Sequence, residues 1–187
     1  VITKPEYVKK YQADAAVTMY FYAVVDKKPA TYGTFINNIS SEGQAQAKGK
    51  GVGVYLRFKT QEKESIQIKV GLSYTSVENA RQNLLAEAKD MSFEKAQQQA
   101  FKMWNDYLGR IQVTGGNETD KIKFYTGLYH ALLGRGLASD VNGSYPKNDG
   151  SIGQIPLGKD QKPLHAHYNT DAISVALWNL TQLRSVA

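Results

Sequence analysis

In the first 75 residues, apolar and polar positions alternate with the two-residue period of a β-strand in several stretches. Ala15 to Val25 (AAVTMYFYAVV), bounded by Asp14 and Asp26, is rich in Val, Tyr and Phe, and Thr31 to Ile36, Gly51 to Thr60 and Ser65 to Thr75 follow it. Val52, Val54, Leu56 and Phe58 fall on one face of their stretch. Ile66, Ile68, Val70 and Leu72 do the same in the next, with Gln67, Lys69 and Gly71 opposite. One greasy and one wet face per strand predicts antiparallel sheets of a sandwich, and Glu62-Lys63-Glu64 supplies a tight polar connection. These strands make up only part of a normal sandwich, so one face is expected to lack its cover unless an upstream region supplies it.

At Tyr74-Thr75-Ser76 the period changes. Val77, Ala80, Leu84 and Ala88 mark a helix capped by Ser76, and Ser92 caps a longer one. The longer helix carries Phe93, Ala96, Ala100, Trp104, Leu108 and Ile111 on one stripe. Thr114-Gly115-Gly116-Asn117 is the clearest break, placing a domain boundary there, and a third helix is predicted from about Glu118 to Leu133. Phe124, Leu128 and Leu132, with Tyr125 and Tyr129 one step round, pin this helix. It stops at Gly134-Arg135-Gly136, and a loop follows with Asp140, Asn142, Gly143 and Tyr145. After Tyr145 the density of Pro and Gly reads as loop. From His165 to Leu183 a last helix is expected, capped by Thr170 or Asp171, with Ile173, Leu177, Leu180 and Leu183 apolar.

Composition narrows the functional classes. At 187 residues the chain can bury a real core, and it holds no apolar run long enough to span a membrane. It starts with Val and ends in an apolar helical stretch, Ala176 to Ala187, so an excised piece or processed product is expected. Without cysteine there is no disulfide or thiolate chemistry. The net charge of +6 is spread along the chain and not clustered, which argues against nucleic acid as a partner. The Gly49 to Gly53 stretch lacks a following Lys-Ser/Thr, which excludes a phosphate loop, and Ser151 stands where a calcium loop starting at Asp140 needs its last acid. Glu118 and Asp120 sit in a first helical turn, where acids favour the helix dipole.

Three stretches, VGLSYTSVENARQNLLAE (Val70–Glu87), MWNDYLGRIQVTGG (Met103–Gly116) and KFYTGLYHALLGRGLASDVNGSY (Lys123–Tyr145), together resemble the glycoside hydrolase family 92 α-mannosidases. The resemblance implies an α+β chain: a partial antiparallel β-sandwich followed by linker helices and the first helices of an (α/α)6 barrel. On that reading residues 1–75 are the C-terminal part of the sandwich domain, 76–116 a helical linker and 117–187 the start of the barrel. It implies an exo-acting, calcium-dependent, inverting enzyme on α-mannose-containing glycans, in which one carboxylic acid protonates the leaving oxygen and a second carboxylate activates water. Both carboxylates are expected in the barrel beyond Ala187, so no catalytic residue and no metal ligand is assigned to this chain, which should be inactive alone. A periplasmic, cell-surface or secreted location follows from the family, and self-association from exposed barrel helices. The alternative is a non-catalytic carbohydrate-binding or structural module.

The resemblance also selects residues. Where many family members carry Trp-Asp-Thr followed shortly by Arg, this chain reads Trp178-Asn179-Leu180 with Gln182. Trp178 is expected to stack on a pyranose, or else to pack in the barrel core. Asn179 keeps a hydrogen-bonding amide without the charge. Asp140 and Asp171 complete the candidate substrate-binding set; for Asp140 the competing reading is an ordinary turn of the D-x-N-G kind. His165 and His167 read as hydrogen-bonding residues in preference to a metal site.

Overall fold

A computed structural model describes residues 2–3, 18–132, 136–147 and 149–168. The described elements are antiparallel strands followed by helices and a small ribbon. One three-stranded sheet has the order β1-β2-β6, from β1 (Ile2–Thr3), β2 (Thr18–Val25) and β6 (Ile68–Ser73). Another has the order β4-β3-β5, from β3 (Thr31–Ile36), β4 (Ile39–Glu42) and β5 (Val52–Arg57). The chain divides into two compact units, one of residues 23–70 and one of residues 1–22 with 71–187.

In the unit 23–70, β3 is the central strand. It turns into β4 through Asn37 and Asn38, both left-handed (φ 47° and 69°), the conformation a two-residue hairpin demands. Strand β4 has only one large apolar residue in ISSE, and the alternation pattern had not predicted it. Across the β3–β5 pairing, Gly33 lies opposite Tyr55 and Phe35 opposite Gly53. Each ring covers the glycine facing it: a Cβ at Gly33 would meet the Tyr55 hydroxyl at 2.6 Å, and one at Gly53 would meet Phe35 Cε1 at 2.5 Å. Val52, Val54 and Leu56 do share a face, as their alternation predicts, and it is the exposed one, with Val54 64% accessible.

The other unit begins its helical part where expected. Helix α1 (Val77–Glu87) is capped by Ser76, whose Oγ accepts from Asn79 N at 3.0 Å. Its Ala80 and Leu84, 0% and 3% exposed, pack against Gly71 of β6. Helix α2 (Phe93–Leu108) is capped by Ser92, and α3 (Glu118–Leu132) starts at Asn117, whose Oδ1 accepts from Asp120 N at 2.9 Å. The two helices meet through Trp104 and Tyr129, ring centroids 4.6 Å apart, and Tyr125 Oη donates to Ile111 O at 3.1 Å. Ile111 lies beyond the end of α2, and the stripe's leading residue, Phe93, is 68% exposed.

The segment after Tyr145, expected as loop, folds instead into a ribbon of β7 (Ser144–Pro146) and β8 (Ile152–Gln154). Its turn closes through Lys147 N to Ser151 O at 2.9 Å, with Gly150 left-handed, and Tyr145 covers Gly153 opposite it. Among the described residues, the buried apolar ones are Ala80, Leu84, Ala138 and Ile155. Among the described residues no helix is long and apolar enough to cross a membrane.

Candidate functional site

Strand β6 ends at Ser73, the chain turns at Thr75, and α1 begins at Val77 with Asn79 and Asn83 one turn apart on the same face. The loop after α3 brings Asp140 against all four polar residues. Asp140 is 5% exposed, and Ser73 and Thr75 are buried beside it. Ser73 Oγ lies 3.0 Å from Asp140 Oδ2, Thr75 Oγ1 donates to the same oxygen, and Asn79 Nδ2 approaches it at 3.2 Å. Asn83 Nδ2 donates to Asp140 Oδ1 at 2.7 Å. A carboxylate offers about four lone-pair directions, so four side-chain donors commit this one to the protein. All four are uncharged.

The amide orientations follow from the backbone. Val141 N–H donates to Asn83 Oδ1 at 2.9 Å, so Asn83 must present its NH2 to Asp140 and to Leu72 O, 2.7 Å from Nδ2. Ser144 N–H donates to Asn142 Oδ1 at 3.0 Å, which turns the Asn142 NH2 to Asn79 Oδ1 at 2.9 Å and leaves the Asn79 NH2 for Thr75 Oγ1, at 2.7 Å, and Asp140. Ser73 Oγ accepts from Thr75 N at 2.9 Å and from Ser76 N at 3.3 Å, which frees its hydrogen to point onward. Gln154 Nε2 donates to Asn142 O at 2.7 Å and so attaches the ribbon to the same loop.

A calcium ion needs converging oxygen acceptors. The cluster instead turns N–H and O–H groups onto its one carboxylate, and so does not fit that ion. Among the described residues no group of three or more His, Asp or Glu could hold a metal. The D-x-N-G turn is formed, with Gly143 N donating to Asp140 O at 2.8 Å, but its side-chain bond is made by Asn142 and not by Asp140. The His167 ring lies against Tyr145, centroids 4.5 Å apart, and the His167 backbone N–H donates to Ser139 Oγ at 3.0 Å; His165 is exposed. At the ribbon turn the Ser151 hydroxyl and N–H hold the Asp149 carboxyl below the ordinary carboxylate range. Trp178, Asn179, Asp171 and Gln182 lie outside the described residues. The sequence reading did not single out Ser73, Thr75, Asn79 or Asn83 as site residues. Its only available signal was the pair of asparagines four apart on a helix that begins two residues after a Ser-x-Thr.

The family model described as the glycosyl hydrolase family 92 N-terminal domain matches residues 5–73, and that of the same family's catalytic domain matches residues 79–185. Among solved structures, the chain is similar to the family GH92 inverting mannosidase BT2199 of Bacteroides thetaiotaomicron VPI-5482, with 26% identity, a TM-score of 0.70, and coverage of 77% of this chain and 20% of that one. It is also similar to the family GH92 glycosyl hydrolase ccman5, with 26% identity, a TM-score of 0.67, and coverage of 86% and 21%. The family GH92 alpha-mannosidase BT3965 of Bacteroides thetaiotaomicron shares its fold at 21% identity and a TM-score of 0.66, with coverage of 82% and 20%. The chain spans about a fifth of the length of these solved structures. No curated protein matches it.

Proposed function

The chain belongs to glycosyl hydrolase family 92, and on that premise we propose that it forms the sandwich-to-barrel junction of an exo-acting α-mannosidase. The whole protein would release terminal α-linked mannose from glycans with inversion. A general acid and a general base, both assigned to the barrel outside this chain, would act on opposite faces of the sugar. The observation that carries the reading is the pair of family-domain matches in tandem, together with 26% identity to an inverting mannosidase over 77% of this chain.

Within the chain, Trp178, Asn179 and Asp171 are proposed to contact the sugar. Calcium dependence belongs to the same reading, its ligands mostly outside this chain, and so does a periplasmic, cell-surface or secreted location. Asn179 and Gln182, standing where charged residues are expected, favour a second reading: a relative that holds a glycan without hydrolysing it.

One experiment separates the two. The whole protein is incubated with an aryl α-mannoside and the released sugar is followed by proton NMR. The mannosidase reading expects β-mannose to appear first, its release stopping with a chelator and returning with added calcium. Folded protein that binds the mannoside in a calorimeter and releases nothing decides for the second reading.

A further inference from the structure

We infer that Asp140 is a positioning residue for the glycan site, its buried carboxylate fixing the loop 136–147 in register with the end of β6 and the start of α1. What the loop serves rests on the mannosidase reading; what holds it rests on geometry alone. Ser73 is the last residue matched by the N-terminal-domain model, and Asp140 lies inside the segment matched by the catalytic-domain model. The Ser73 bond therefore ties the two family segments together, while Thr75 lies between them and Asn79 and Asn83 belong to the same segment as Asp140.

The hold runs in both directions, because Val141 N–H and the Asn142 amide donate back to Asn83 and Asn79. Gln154 grips the Asn142 carbonyl, and Ser144 Oγ reaches Gln154 Oε1 at 3.2 Å, so moving Asp140 moves the ribbon with it. The position demands a carboxylate and not simply a polar group of that size. With the asparagine amides fixed by Val141 and Ser144, an isosteric Asn at 140 either aims its NH2 at Asn83 Nδ2, donor against donor, or turns it to the other side and removes the acceptor that Ser73, Thr75 and Asn79 share. Either orientation leaves buried donors without their acceptor.

The test uses the whole protein with Asp140→Asn and, as a milder change that keeps side-chain shape, Thr75→Val. Amide hydrogen exchange across 136–155 is measured together with kcat and KM for an aryl α-mannoside, scaled to folded protein. Exchange in 136–155 is expected to quicken in both variants, more in Asp140→Asn, while the β4-β3-β5 sheet keeps its protection. KM is expected to rise roughly tenfold with kcat much less affected, because on the mannosidase reading the loop borders the sugar site while the acid and base lie elsewhere. Unchanged exchange in folded Thr75→Val overturns the latch. Quickened exchange with KM unmoved, or a loss confined to kcat, overturns its link to the site. Should the unsubstituted protein release no mannose, the functional reading fails while the exchange measurement still decides the latch.

Discussion

Gly71 shows how little room the junction leaves at the level of single atoms. A Cβ there would overlap the Ala80 carbonyl oxygen and stand 2.7 Å from Leu84 Cβ, and neither the helix backbone nor a Cβ can swing aside. Gly71→Ala is therefore expected to destabilise the chain by about 2 kcal/mol, seen as a lower urea midpoint with an unchanged slope. An unshifted midpoint would mean that α1 is free to lift from β6. The contrast is with Gly53, covered by the far end of the Phe35 ring, which can rotate away. The family resemblance makes Asp140 a candidate sugar contact, but its own neighbours in the sequence signal only a turn. The turn is real, yet the carboxylate finds its partners 57 to 67 residues upstream, a separation that no local pattern encodes.

Among elements, the ones whose chemistry is local were legible. Ser76 and Ser92 announce α1 and α2 because a cap is a bond between a side chain and an amide three residues on. Strand β3 falls on residues 31–36, where the alternation puts it. Strand β4 was not legible: ISSE is nearly all polar, and its hairpin is signalled only by the Asn37-Asn38 pair. The β7–β8 ribbon was hidden by its Pro and Gly content, and it depends on Tyr145 finding Gly153 across the pair. The connection between β5 and β6 is clasped by Glu64, which pairs with Lys27 and accepts from Gln61 N at 2.8 Å. The Lys27 hydrogen bond, then the Gln61 N–H, holds the Glu64 carboxyl below its ordinary 4.5. A depressed folded pKa stabilises above the unfolded value and is lost as pH falls through the folded one. Amide exchange around Gln61 should accordingly quicken as pH falls below the ordinary 4.5, relative to the intrinsic rate, and Glu64→Gln should remove that response. A response that survives the substitution assigns the clasp to another group.

At the scale of the molecule, the apolar side of β5 and the apolar residues of α2, with Phe93 68% and Phe101 75% exposed, stand open among the described residues. Open greasy surface of this kind favours association. The isolated 187-residue chain is expected to sediment as more than one copy, with the larger species dissolving when Val54 and Phe101 are both replaced by polar residues. A monomer at tens of micromolar would count against that expectation. The sequence anticipated an uncovered sheet face, because alternation alone reports which side is greasy and a count of strands reports what is missing to cover it. The two asparagine amides carry a different consequence, one for the order of assembly. Asn83 takes its polarity from the Val141 N–H of the loop that it restrains, whereas Asn142 is set by Ser144 N–H two residues on, within the loop itself. Before Val141 arrives, the Asn83 amide is free to face either way. The corner then closes across more than fifty residues of chain, with an entropy to overcome that α1 and its cap do not face. It should be among the last parts of the unit to form during folding and, under rising denaturant, among the first to open.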